Sequence, residues 1–245
     1  MRWLAGTDLA GHGVELARSW WGSAGRVADQ RWSTALASAG ERAAITARDP
    51  AALAELLVLS ARHAEQAEDL PRAEAQWVRA LKIQRDRGDA HGAVAVLEAL
   101  GSLYTRWARL HRAMDAYLDL LAVYEKTQDG HGVLMTSQRL GAVLMLAERP
   151  AAAVEYLSRA DLYAADDDRI DDSAHAELLI MLGRAQWGAG RTGPARRTFS
   201  RALARLVDVD DQGAEYVRAL LATEEGAVLP VAERGDVADR SPRER

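Results

Sequence analysis

The chain of 245 residues contains no cysteine. Disulfides, thiolate catalysis and cysteine-ligated zinc are therefore excluded together, and a reducing cytosol is the expected setting. Asparagine is absent as well, and lysine occurs only at Lys82 and Lys126. Aromatic residues make up only 6% of the chain. Alanine and leucine carry the apolar mass, a bias that favours helix. Nowhere do about eighteen apolar residues run uninterrupted, so no membrane span is predicted. The first eight residues lack the apolar run of a signal peptide. The net charge is −5 and the pI about 5.7, a balance that argues against nucleic-acid binding by the surface as a whole. Glycine-rich phosphate loops, HExxH and GxSxG are all missing. No cofactor or metal is expected, and an enzyme is disfavoured.

What the sequence does contain is a period. Ala61, Gly101, Gly141 and Gly183 recur at intervals of 40, 40 and 42 residues, and Ala73, Ala113, Ala153 and Ala195 trail each by twelve. Self-similarity at this spacing marks a repeat architecture, in which each unit is too small to bury its own apolar face and must stack on neighbours. The clearest unit reads as two amphipathic helices. His91 to Trp107 places Val94, Leu97, Leu100, Leu103 and Tyr104 on one face, and His111 to Lys126 does the same with Ala113, Met114, Tyr117, Leu120, Leu121 and Tyr124. Gly101 and Ala113 fall where the two helices should cross, since only small side chains let backbones approach closely. Asp89 and Asp129 precede helix starts as capping carboxylates.

At these residues the chain resembles the tetratricopeptide repeat (TPR) family. Leu100, Gly101, Tyr104, Ala113 and Tyr117 meet its L-G-x-x-Y and A-x-x-x-F/Y pattern. Leu182, Gly183, Ala195, Phe199 and Ala202 repeat it, with Gln186 in place of the tyrosine. Ala61, Ala73, Trp77 and Ala80 keep it in the second unit, and Leu140, Gly141, Ala153, Leu157 and Ala160 in the fourth. The period exceeds the family's usual length of about 34 residues, as in repeats similar to those of kinesin light chains, bacterial peptide-responsive regulators and the sensor regions of signalling ATPases. The resemblance implies an all-α, right-handed solenoid forming a single domain over residues 1–222. Its units are expected at about 10–48, 49–88, 89–128, 129–170 and 171–210, with a capping helix at 211–222. The first unit is degenerate: Ala28, Trp32 and Ala35 compete with Ala35 and Ala39 for its second-helix packing positions. Residues 223–245, with Pro230, Pro242 and scattered charge, read as a disordered tail.

Clusters that look like chemistry have structural readings. His12, His91, His131 and His175 recur at first-helix starts, too far apart to share a metal, and are expected as exposed or capping residues. The run Asp166, Asp167, Asp168, Asp171 and Asp172 lacks the alternation of a calcium loop and reads as a solvated turn. Ser173 and His175 beside Asp171 and Asp172 have triad residue types but not triad spacing. Trp20, Trp21, Trp32, Trp77 and Trp107 are expected in the core. Turns between repeats carry aspartates and turns within repeats carry Arg26, Arg106, Arg109, Arg112, Arg149 and Arg191, predicting an acidic edge opposite a more basic one.

In TPR proteins the first helices of successive units line a concave groove that accepts an extended peptide or a helix. Carried onto this chain, the groove takes Glu55, Val58, Arg62 and Glu65 from the second unit. Glu98, Ser102, Thr105 and Arg106 follow from the third, then Met135, Gln138, Arg139, Ala142 and Met145, then Glu177, Ile180, Arg184 and Trp187. Trp187 could equally enter the core. The C-terminal half suits an apolar segment that carries an acidic group or a carboxylate. With no groove asparagine or lysine, the chain lacks the means of the chaperone carboxylate clamp. The leading expectation is a non-catalytic, cytoplasmic scaffold that binds a protein or peptide, as the sensor or adaptor part of a bacterial regulatory system. A self-associating homo-oligomer is the second reading, and an enzyme or small-molecule receptor using the groove as a pocket is the third.

Overall fold

The computed structural model describes residues 11–16, 19, 30–207, 209–224 and 227–230, and every regular element among them is helical. Two compact units divide the chain, Met1–Asp129 and Gly130–Arg245. The first holds a short helical stretch at 11–16 followed by α1 (Gln30–Thr46), α2 (Pro50–Gln66), α3 (Leu70–Asp86), α4 (Ala90–Arg106) and α5 (Leu110–Thr127). The second holds α6 (Gly130–Leu146), α7 (Pro150–Ala164), α8 (Asp172–Gly188), α9 (Thr192–Leu206) and α10 (Asp211–Ala222). Within each unit every helix packs against its sequence neighbour, as in a helical solenoid. No helix is long and apolar enough to cross a membrane among the described residues.

Seven of the ten numbered helices, α1 to α6 and α8, stop by one device. Arg48, Glu68, Gly88, Ala108, Gln128, Glu148 and Gly190 all take left-handed backbone angles, φ between 54° and 74°. The next residue's N–H then reaches back five residues to the preceding helix, as in Asp69 to the Ala64 carbonyl at 2.9 Å and Arg109 to the Tyr104 carbonyl at 2.8 Å. This is the Schellman closure, which satisfies carbonyls that the helix end leaves orphaned. Asp49, Asp69, Asp89 and Asp171 then cap the following helix, their carboxylates accepting from Ala52, Arg72, Gly92 and Ala174 N–H. Arg109, Arg149 and Arg191 start helices with no side-chain cap. Several aspartates of the expected acidic edge are therefore committed to helix starts.

Small residues set the hairpin spacing. A Cβ placed on Gly101 would lie 2.5 Å from the Tyr117 ring, one on Gly141 would lie 2.5 Å from Leu157, and one on Gly183 would fall on the Phe199 ring. Each partner sits sixteen residues on, and Ala61 and Trp77 occupy the same two positions in the second unit, both buried. The first-unit register departs from expectation. Ala35 and Ala39 are exposed, while Ala37, Gly40 and Ala44 are buried. Residue 37 stands one period before Trp77, so an alanine replaces the bulky residue that marks the position elsewhere. Trp107 is also corrected: it terminates α4, and the Arg109 guanidinium stacks 3.4 Å above its ring. Expectations for Trp20, Trp21, Arg26 and Ala28, and for the Trp32 side chain, lie outside the described residues.

Candidate functional site

In the N-terminal unit, α2 and α4 stand side by side as first helices of successive hairpins and leave a cleft of about 360 Å³ between them. Glu55, Val58 and Arg62 of α2 line one wall, Gly92, Ala95 and Val96 of α4 the other, with Trp77 and Gln84 of α3 behind. Arg62 and Ser102 are exposed and Glu98 is half-buried. The exposed Arg106 crosses between the two first helices to pair with Glu65, which also accepts the Trp77 indole N–H at 2.7 Å. On α3, Glu74 collects the Tyr104 hydroxyl at 2.9 Å, Arg109 at 3.0 Å and Arg112. Burial and this carboxylate hold the Tyr104 phenol above its usual range.

In the C-terminal unit, Met135, Gln138, Arg139 and Met145 are half-buried on α6. On α8, Ile180 and Trp187 lean against the core of Ala176, Leu179, Phe199, Val217 and Leu220. The Trp187 ring packs on that core, and its indole N–H donates to the Ala227 carbonyl at 3.1 Å. Arg184 donates to the Tyr216 hydroxyl at 2.6 Å and to the Pro230 carbonyl at 2.9 Å. Residues 227–230 belong to the stretch read as a tail, and here they lie against α8. Residues 225, 226 and 231–245 fall outside the described residues.

Tyr216 belongs to none of the expected groove positions. The signal was available: Asp210 stands at the N-cap of α10, 39 residues after the N-cap Asp171 of α8. Thus α10 occupies the place of a further first helix, and its Tyr216 meets Arg184 of α8.

The residue types that imitate catalysis are held apart. His175 is buried instead of exposed, and its Nε2 lies 2.8 Å from Asp161, which also accepts Arg201 at 2.8 Å. Asp171 caps α8, and Asp172 pairs with Arg205. The neighbouring Asp167 accepts Arg169 at 2.8 Å and lies 2.7 Å from His131 Nδ1, and these bonds hold it far below the usual carboxylate range. Among the described residues no three His, Asp or Glu side chains converge as metal ligands would.

For Asp161, burial pushes the pKa up, but Arg201 and His175 outweigh it and leave the group below its ordinary value. A carboxylate depressed by folding stabilises fully above about pH 4, and that contribution is lost as pH falls through the lower native value. Asp161→Asn is expected to cost about 1–2 kcal/mol at pH 7. Urea unfolding between pH 7 and pH 3 should show the gap to wild type closing toward acid. A gap independent of pH would contradict the assignment.

Solved structures share this fold. BtubC from P. vanneervenii aligns with a TM-score of 0.56 at 17% identity, over 96% of this chain and 97% of that one. The kinesin light chain TPR-like repeats of P. anserina align with a TM-score of 0.61 at 16% identity, over 86% of this chain and all of that one. PilF of Pseudomonas aeruginosa aligns with a TM-score of 0.52 at 16% identity, over 89% of this chain and 85% of that one. No family profile and no curated protein matches the sequence. At these identities the likeness establishes the fold, that of a TPR-like helical-repeat protein.

Proposed function

We propose that this chain is a non-catalytic scaffold that binds a peptide or a protein segment along the first-helix faces of its hairpins. The cleft between α2 and α4 carries the reading, because its walls include Glu55, Val58 and Arg62, positions assigned to the groove by counting from Ala61. Open and lined by both apolar and charged side chains, it suits an extended segment better than a small molecule, which needs enclosure. The C-terminal unit offers a different surface, in which Met135, Met145 and Ile180 supply apolar contact while Arg139 and Arg184 supply planar donors. An apolar segment with an acidic side chain or terminus fits that combination.

Capture from a displayed peptide library tests the assignment, comparing the wild-type chain with Arg139→Glu plus Arg184→Glu. Charge-assisted hydrogen bonds are worth about 1.5–3 kcal/mol each, so binding of the selected peptides should fall at least tenfold. Undiminished capture by a double variant with wild-type helicity would refute the assignment of Arg139 and Arg184 to the binding surface.

A further inference from the structure

We propose that the face shared by α8 and α10 is a clamp for a short apolar segment that contains proline, and that the chain's own Ala227–Pro230 occupies it in cis. This rests on the first-helix faces being the binding surface, and it adds what the C-terminal unit recognises and how that site is closed.

The geometry is that of a bound peptide. Three side-chain donors from two first helices reach two main-chain carbonyls: Trp187 Nε1 to Ala227, with Arg184 Nη1 and the Tyr216 hydroxyl, at 2.9 and 3.2 Å, to Pro230. Arg184 also donates to Tyr216, which sets the hydroxyl's position. The segment runs back along α8, since Ala227 meets Trp187 and Pro230 meets Arg184, one helical turn nearer the α8 N-terminus. Its side chains alternate: Leu229 packs on the core beside Ile180, Trp187 and Tyr216, whereas Val228 is 93% exposed. Proline suits position 230 because it has no N–H to satisfy and a fixed φ that lowers the ordering cost.

A structural cap would bury its apolar side chains. Here Leu229 is only half-buried, Val228 is exposed and the main chain is read by donors, which is how an exchangeable ligand is held. The chain's path supports the same view. Arg196 donates to the Leu221 and Thr223 carbonyls, both at 2.6 Å, fixing the exit from α10. Only a few residues then separate that anchor from Ala227. A short tether gives an effective concentration on the order of millimolar. An external peptide of the same chemistry, with a dissociation constant of about 100 μM, would be weakened about tenfold by this competition.

The test uses the full chain and a fluorescein-labelled synthetic peptide, GAVLPVAE, copied from residues 226–233. Leu229→Asp should release the segment, and the released chain should bind the peptide about tenfold more tightly than wild type. Leu229→Ala serves the same purpose should the charged variant fail to fold. Adding Arg184→Gln and Tyr216→Phe should abolish the gain, as should a peptide with aspartate in place of its leucine. Equal binding by released and wild-type chains, or no binding by either, overturns the proposal. The released chain is also screened against the displayed library. Capture of library peptides without capture of GAVLPVAE defeats this inference alone, and capture of neither defeats the groove reading as well.

Discussion

Phe199→Ala is expected to lower the unfolding free energy by about 3–5 kcal/mol, the range for emptying a fully buried aromatic site. Phe199 is the only phenylalanine in the sequence and is wholly buried. Its neighbours in the core are mostly short: Ala176, Ala195, Ala202, Ala214 and Val217. Alanines cannot reach into the space a ring vacates, so the cavity can close only by moving helices. Those helices are α8, α9 and α10, and α8 and α10 carry Arg184, Trp187 and Tyr216. Lost stability and a weakened hold on residues 227–230 should therefore appear together. Urea unfolding followed by circular dichroism measures the first. A loss below about 1 kcal/mol would mean that Phe199 is not the keystone of that core.

Gly101→Val is expected to cost about 3 kcal/mol, through the opposite fault. The glycine lies on α4 where a Cβ would come within 2.5 Å of the Tyr117 ring. Tyr117 is buried and its ring is stiff, so α4 and α5 must separate or the ring must leave its rotamer. Glycine in mid-helix ordinarily costs up to about 1 kcal/mol relative to alanine, which makes its presence at Gly101, Gly141 and Gly183 a packing requirement. A double-mutant cycle with Tyr117→Ala separates this clash from general helix effects. The valine should be tolerated far better once the ring is gone, and strictly additive losses would contradict the close-approach argument.

Much of the architecture was legible because packing forces a periodic choice of residue. A small side chain is needed wherever two helices of a hairpin touch, and four such positions reveal the unit length. Other features left no such mark. Of seven left-handed turn residues only Gly88 and Gly190 are glycine, since a Schellman closure tolerates Arg48, Glu68, Ala108, Gln128 and Glu148 in the same conformation. The α1 register was hidden by Ala37, which lacks the bulk that identifies Trp77, Tyr117 and Leu157. His175 looked like a turn residue, yet Asp161 and Arg201, from two other helices, make its burial tolerable.

The site divides in the same way. Counting from the small residues assigns Arg62, Glu98, Ser102 and Arg106 on one unit, and Met135, Gln138, Arg139, Met145, Ile180, Arg184 and Trp187 on the other, to the expected groove. It could not locate the segment against α8. Ala227 and Pro230 meet donors that lie 40 and 46 residues earlier in the chain. A four-residue stretch with one packed side chain has no period to detect.

Photocrosslinking decides most directly whether first-helix faces capture peptide. Benzoylphenylalanine would replace Ser102, exposed on the first helix α4, or Leu118, 41% exposed on the second helix α5. Each chain would then be irradiated with a peptide selected on the wild-type protein. The account predicts crosslinks from position 102 and none from position 118. Crosslinks from position 118 alone would place the ligand on the opposite face and contradict it.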